Sequence, residues 1–391
     1  MKKLFAALLA ILLMLNTGCA FFNDSANQAD SPVSPHQSET TVADEPNITE
    51  SAPDGSGLNT ESHPHNYHPN GVQAETAVLD AQSVSKDPLP EADDTKPAQR
   101  IPVVVYFQDN DQYLIPVTYR IELQEGVARA SVNSLIYTEE MSKQLAYYGL
   151  NPILPAETEI LGLNLVDGIA TIDFNNNFLN FENEKKEKNA IASIVYTLTE
   201  FENIQAVKIL INGYEKGKLE HGTDISGVIE RSDIYINSGS QSNSGYRDGS
   251  NKLDVYFLKD ANATFTYLLP MSVKADATIG GDVTVEALVQ FLLKTQAYSK
   301  LRSEIPEKSA LLNCSTKNDL LILDFNRAFT NYGGNSREEA ILLQLLHTVK
   351  QHPGINKVKI LIENESTALP EGTDSSNGLT LPLYINDVFG N

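Results

Sequence analysis

The hexapeptide VKILIN at Val207–Asn212 returns almost unchanged as VKILIE at Val358–Glu363, 151 residues downstream. Its alternation decides the fold. Val207, Ile209 and Ile211 fall on one side of an extended chain, and Lys208, Leu210 and Asn212 fall on the other. That two-residue period predicts an inner strand of a sheet covered by helices on one face. Further matches appear on both sides. VVYF at Val104–Phe107 returns as DVYF at Asp254–Phe257, each time before a polar turn. ATIDFNNNF at Ala170–Phe178 answers LILDFNRAF at Leu321–Phe329, and SDIYIN at Ser232–Asn237 answers LPLYIN at Leu381–Asn386. A helical stripe precedes each copy of the hexapeptide: Ile191, Ile194, Val195 and Leu198 in the first, Leu342, Leu345, Leu346 and Val349 in the second. Both stripes have the i, i+3, i+4, i+7 spacing of an amphipathic helix. Matches in one order at nearly one offset mean a tandem duplication of a unit of about 140 residues.

Each unit reads strand, strand, helix, strand, strand, helix, strand, with a return to a short final strand at the YIN sequences. In the first copy, strands are expected near Pro102–Phe107, Tyr113–Ile121, Glu159–Leu165, Ile169–Phe174 and Ala206–Asn212, with helices over Val127–Tyr147 and Lys186–Glu200. LVDG at Leu165–Gly168 and KND at Lys317–Asp319 read as hairpin turns. Ser336 followed by Glu339 predicts a capping box opening the last helix. The fold class is therefore α+β: two tandem homologous domains, each a sheet packed with two helices in the order ββαββαβ. The domains are expected at residues 100–238 and 252–391. The Gly/Ser/Asn-rich run Asn237–Asn251 holds the linker, residues 239–251.

The first hundred residues have a different texture. Lys2 and Lys3 precede an apolar run, Leu4–Leu15, too short to span a bilayer but fitting a secretory signal. The sequence Leu15-Asn16-Thr17-Gly18-Cys19 resembles the bacterial lipoprotein signal, with Asn16 where leucine is usual. That resemblance implies a signal peptide over residues 1–18 and a thioether-linked, palmitate-type lipid on Cys19. Residues 19–99 are acidic and rich in Ser, Pro, Asn and Thr without apolar periodicity, so they read as a disordered tether. A coil of that length measures about 50 Å end to end. His63, His65 and His68 lie inside it and read as solvated linker rather than a metal site, because nothing orients three imidazoles on one ion.

A formal charge of −22 over 391 residues excludes a nucleic-acid binder, which needs a basic footprint. With Cys19 carrying lipid, Cys314 is alone and reads as a packed structural thiol. The repeated DFN supplies the enzyme candidates, Asp173 with Asn175 and Asp324 with Asn326. Either aspartate could act as a general acid or base. The competing reading has each Asp or Asn bond backbone N–H groups where strand becomes turn, and repetition favours it, since a turn must be rebuilt in every copy. His221, His347 and His352 are scattered, with His347 placed as a core-edge histidine. No phosphate-binding, dinucleotide, serine-hydrolase, zinc-protease or EF-hand motif occurs, so no catalytic set, cofactor site or metal site is assigned.

VYF before a turn, IDF or LDF, and then IVYTLTEFENIQAVKILINGYEKG at Ile194–Gly217 together resemble the GerMN-domain family of bacterial sporulation and spore germination lipoproteins. LLHTVKQHPGINKVKILIENES at Leu345–Ser366 follows the same plan, with Glu363-Asn364 replacing Asn212-Gly213. The resemblance implies a fold similar to the ring-building motifs of secretion systems. It implies a non-enzymatic lipoprotein on the extracytoplasmic face of the cell membrane, in the intermembrane space during sporulation. There it would assemble or localise the envelope proteins of the forespore–mother cell channel complex, affecting engulfment, cortex formation and germination. Nucleic acid is not an expected partner, and peptidoglycan is left open as one. The alternatives are an envelope peptidoglycan hydrolase using Asp173 or Asp324, and a solute-binding lipoprotein with its ligand between the domains.

Overall fold

Both copies of the repeated hexapeptide form inner strands. The computed structural model describes residues 99–124, 126–238, 252–274, 284–295 and 297–389, all within one compact unit of the chain. The signal peptide, Cys19, the tether histidines and linker 239–251 lie outside the described residues.

The first repeat begins with a hairpin of β1 (Arg100–Asp109) and β2 (Leu114–Glu122). Helices α1 (Val127–Asn133) and α2 (Glu139–Ala146) follow, and then β3 (Leu150–Asn151), which pairs with the end of β1. Next come β4 (Ile160–Val166), β5 (Ile169–Phe174), α3 (Glu184–Leu198), β6 (Ala206–Ile211), β7 (Tyr214–Glu215) and β8 (Val228–Glu230). The second repeat runs β9 (Lys252–Asp260), β10 (Thr266–Lys274), α4 (Val285–Lys294), β11 (Ala297–Tyr298), β12 (Leu301–Arg302), β13 (Leu311–Lys317), β14 (Leu320–Phe325), α5 (Asn335–Lys350), β15 (Lys357–Ile362) and β16 (Leu379–Thr380). The α+β class and the tandem plan stand.

Each repeat holds two sheets. In the first, β2-β1-β3 is one, and β4-β5-β6 with β7 and β8 on β6 is the other; the second has β10-β9-β12-β11 and β13-β14-β15-β16. The chain crosses from β5 to a parallel β6 through α3, the connection that parallel strands require. α3 contacts both β1 and β6 and is buried all round from Ala190 to Leu198. Its polar residues explain how it faces a strand. β3 pairs only with Gln108 and Asp109, so the backbone of Tyr106 needs other partners. Thr197 Oγ1 accepts the Tyr106 N–H at 3.1 Å, and Ser193 Oγ donates to its carbonyl at 2.6 Å. Thr348 and Gln344 treat Tyr256 in the same way, at 3.1 and 3.2 Å.

Three local expectations change. The helix expected over Val127–Tyr147 is two helices. Between them the Leu135 carbonyl accepts N–H bonds from Ile153 and Leu154, Tyr137 N–H donates to Leu154, and Thr138 caps a new helix by accepting from Met141 at 3.0 Å. These tertiary bonds replace the helical ladder. The capping box at Ser336 and Glu339 is not made: α5 starts at Asn335 behind Gly334, whose N–H donates to Glu371 at 2.6 Å. The YIN segments are not final strands of their own sheets. The returning strands come earlier, as β8 and β16, and the segments cross to the other repeat.

Candidate functional site

The DFN motifs are assembled alike. Phe174 stacks on Phe178 with centroids 4.3 Å apart, and Phe325 on Phe329 at 4.1 Å, anchoring the chain where the strand ends. Asp173 Oδ1 accepts the Gly213 N–H at 2.9 Å, and Asp324 Oδ1 accepts the Asn364 N–H at 2.9 Å. Each carboxylate therefore holds the turn that follows the repeated hexapeptide. Asn175 and Asn326 donate to the carbonyls of Glu157 and Lys308, both at 2.9 Å. The turns match despite their sequences. Asn212 and Gly213 have φ of 49° and 81°, and Glu363 and Asn364 have 52° and 67°. Asn364 takes the left-handed position that glycine occupies in the first copy.

A second repeated carboxylate escapes sequence reading. Glu187 is fully buried on α3 and accepts the N–H groups of His221 and Thr223 at 2.8 and 3.3 Å. Glu338, equivalent on α5, accepts from Glu371 and Thr373 N–H at 2.8 and 3.2 Å and from the Tyr332 hydroxyl at 2.9 Å. Burial works to raise the Glu338 pKa, but the bonds from Thr373, Glu371 and Tyr332 outweigh it and hold the group below the usual range. The signal was present as LEHGTD at Leu219–Asp224 and LPEGTD at Leu369–Asp374. Gly222 and Gly372 both sit at φ 99°, a backbone state that L side chains avoid.

The remaining candidates are placed separately. His221 Nε2 pairs with the Phe181 carbonyl at 2.7 Å, His352 is half-buried, and His347 is buried on α5. Cys314 is half-buried on β13, where burial and the nearby Glu286 push its thiol pKa up, away from nucleophilic character. Among the described residues no group of three His, Cys, Asp or Glu is placed to hold a metal ion, and no helix is long and apolar enough to cross a membrane.

What the sequence motifs do bring together is the seam between the repeats. Asn237 and Asn386, the ends of the two YIN segments, have φ of 58° and 47°. Asn237 accepts from Leu114 N–H at 2.8 Å and donates to the carbonyls of Leu114 and Pro270 at 2.8 and 2.7 Å. Asn386 accepts from Leu268 N–H at 3.0 Å and donates to the carbonyls of Leu268 and Pro116, both at 2.6 Å. Leu114-Ile115-Pro116 and Leu268-Leu269-Pro270 are equivalent stretches of β2 and β10. Each asparagine thus ties its own repeat to the other, in mirrored roles. The residue before each does likewise: Ser272 N–H donates to the Ile236 carbonyl at 2.8 Å, and Thr118 N–H donates to the Ile385 carbonyl at 2.8 Å. The seam has an approximate twofold character, and each repeat's tail lies on the other's hairpin.

Charges flank this exchange. Lys259 of β9, with 2% of its side chain exposed, lies 2.5 Å from Asp109 and 2.9 Å from Asp111. Burial opposes its charge, but the two carboxylates prevail and raise its pKa. Elsewhere on the seam, Lys252 donates to the carbonyls of Arg231 and Ile234 at 2.7 and 3.0 Å and pairs with Asp254 at 3.2 Å. Arg231 donates to Glu200 at 2.6 Å and lies over the Tyr196 ring at 4.5 Å. Tyr148 joins Phe265 and Phe389 in an aromatic cluster spanning both repeats, with centroids 5.1 and 4.4 Å away.

Fold and seam together define a protein made of two interlocked copies of one α+β unit. The chain belongs to the Germane family, described as sporulation and spore germination, whose model matches residues 104–217 and 254–368. It is 25% identical over 291 residues to the spore germination protein GerM of Bacillus subtilis (strain 168), covering 72% of this chain and 77% of that one. It is similar to the solved tandem GerMN domains of the sporulation protein GerM from Bacillus subtilis, with a TM-score of 0.63 and 25% identity, covering 73% of this chain and 99% of that one. The first GerMN domain of that protein, solved alone, is 30% identical, with a TM-score of 0.32 and coverage of 34% and 99%. The family implied by the repeated motifs is thus the family found, and membership places this chain among sporulation and spore germination proteins.

Proposed function

We propose that the chain is a non-enzymatic assembly module of the sporulating cell envelope, anchored to the membrane by lipid on Cys19. On this reading it supports or localises the envelope complex between mother cell and forespore. The observation carrying the proposal is the reciprocal exchange of the YIN tails, which makes two domains present one composite surface. A shared surface of fixed geometry suits a protein that positions others. The DFN motif, the repeated candidate for acid–base chemistry, uses one carboxylate oxygen of each aspartate to brace a turn.

In sporulating cells lacking their own Germane-family protein, the full chain should restore localisation of the envelope complex. Cys19→Ser should leave the protein unanchored and fail to restore it. A chain retaining Cys19 but lacking both repeats should also fail; normal localisation in that strain overturns the proposal. For the hydrolase alternative, purified protein incubated with cell-wall sacculi should release no fragments, and Asp173→Asn and Asp324→Asn should behave like the parent. Release that either substitution abolishes would instead make the chain a peptidoglycan hydrolase.

A further inference from the structure

The two repeats differ at the outer edge of the sheets that end in β4 and β13. β4 and β13 occupy the same edge position in the two copies. β13 reads LLNCSTK, with Leu312 exposed beside the polar Asn313, Ser315, Thr316 and Lys317. Polar residues and an edge lysine are the usual protection of an unpaired strand. β4 reads ILGLNLV, with no charge and no proline. Leu161 is 48% exposed, Leu165 36% and Val166 55%.

The backbone direction follows from neighbouring bonds. Phe174 O accepts from Asn212 N–H at 2.8 Å and Gly168 O from Ala206 N–H at 3.2 Å, so the even-numbered residues of β5 face β6. Ile169, Thr171 and Asp173 therefore face β4, and their register partners Val166, Asn164 and Gly162 face back. That leaves the N–H and C=O groups of Leu163 and Leu165 pointing out of the sheet. Arg129 covers the strand's first position by donating to the Ile160 carbonyl, so the open stretch starts at Leu161. Its ends are acidic: Glu157 and Glu159 precede it and Asp167 follows, all exposed.

We propose that β4 is a strand-addition site, which takes an extended apolar segment of a partner protein flanked by lysine or arginine. Backbone pairing supplies the attachment, the exposed leucines and valine supply apolar contact, and the acidic ends select basic flanks. A second copy of this chain fits less well. Antiparallel self-pairing centred on Leu163 sets Glu159 of one copy against Asp167 of the other at both ends, which is repulsive. The site deepens the assembly reading, on which it rests, by assigning a partner chemistry to one repeat and not the other.

The test uses the full chain in non-ionic detergent and a fluorescent peptide of alternating valine and threonine with two lysines at each end. Anisotropy should show saturable binding, at least tenfold tighter than for the same peptide ended by glutamates. Leu165→Pro removes an N–H that faces outward, so it spares the β4–β5 ladder while blocking an added strand. It should weaken binding at least tenfold, whereas Thr316→Pro, equivalent on β13, should leave binding unchanged. If Leu165→Pro unfolds the chain, the double variant Leu161→Lys/Val166→Lys alters only exposed side chains and should also weaken the lysine-ended peptide. Absence of binding, or binding indifferent to the β4 variants, overturns the proposal. So does a dimer in sedimentation equilibrium that Leu165→Pro dissolves, because that makes a second copy the occupant. Failed peptide binding with intact envelope localisation removes the β4 site alone; failed localisation removes the assembly reading.

Discussion

His347 is an imidazole that the fold keeps neutral. Its Nε2 is buried without a hydrogen-bond partner, and its ring leans on Tyr256 with centroids 5.3 Å apart. Burial, with Lys350 adding to it, pushes its pKa from 6.5 down to about 3. The unfolded chain therefore binds this proton before the folded one does. The stability it contributes is complete above about pH 6.5 and declines as pH falls towards 3. At pH 5 the loss from this group is about 2 kcal/mol, at 1.36 kcal/mol per pH unit below the unfolded pKa. Glu338 and Glu200 shift the same way, since their pKa values are also depressed in the folded chain, but they act only below about pH 4.5. In the window from 6.5 to 4.5 His347 supplies the loss, while Glu339, whose pKa burial raises, offsets part of it as pH falls towards 4.5. Urea denaturation at pH 7 and pH 5 should show about 2 kcal/mol lost by the parent and a fraction of that by His347→Gln. Equal losses would show that the imidazole is not the sensor.

Among the elements, the strands were the most legible. The hexapeptide lies at β6 and β15 with the predicted face inward: Val207, Ile209 and Ile211 are at most 7% exposed. A two-residue period reports burial directly, so such strands can be read without knowing what covers them. The break between α1 and α2 could not be read, because the bonds that cause it come from Ile153 and Leu154, later in the chain. Glu187 and Glu338 were hidden for a related reason. A glutamate on a helix reads as solvated until the loop it bonds folds over it. The turn after the hexapeptide shows the limit of residue identity as a guide. Asn212-Gly213 and Glu363-Asn364 look different, yet both pairs have positive φ and both are held by the DFN aspartate. Asparagine tolerates the left-handed state better than most side chains, and β-branched residues tolerate it poorly. Asn364→Gly should therefore leave stability unchanged or slightly raised, while Asn364→Val should cost about 1–2 kcal/mol in urea melts. A neutral valine would mean that the turn relaxes and Asp324 does not fix it.

For the molecule as a whole, the duplication was visible in the sequence but the way the copies join was not. YIN was seen twice, yet nothing in a repeated tripeptide says that its asparagine bonds a strand more than a hundred residues away. The seam also shows why a tandem gene product differs from a homodimer. Near an approximate twofold axis, equivalent residues approach one another, and in two identical chains they would be identical. Asp109 on β1 and Lys259 on β9 are equivalent, each two residues after the repeated VYF, and they pair with one another at 2.5 Å in a nearly dry site. A homodimer of either repeat would face two aspartates or two lysines there. Duplication within one chain lets the copies diverge to opposite charges, so the seam accepts the mixed pair and rejects like pairs. Asp109→Lys and Lys259→Asp should each cost about 3–5 kcal/mol, because each leaves like charges buried together. The double variant Asp109→Lys/Lys259→Asp restores an opposite pair and should recover most of that loss. Recovery should remain incomplete, because Asp111, now 2.9 Å from Lys259, would face a carboxylate. A double-mutant cycle from thermal or urea unfolding reads the coupling directly. A double variant no more stable than the sum of the single losses would show that the pair does not set how the two repeats meet.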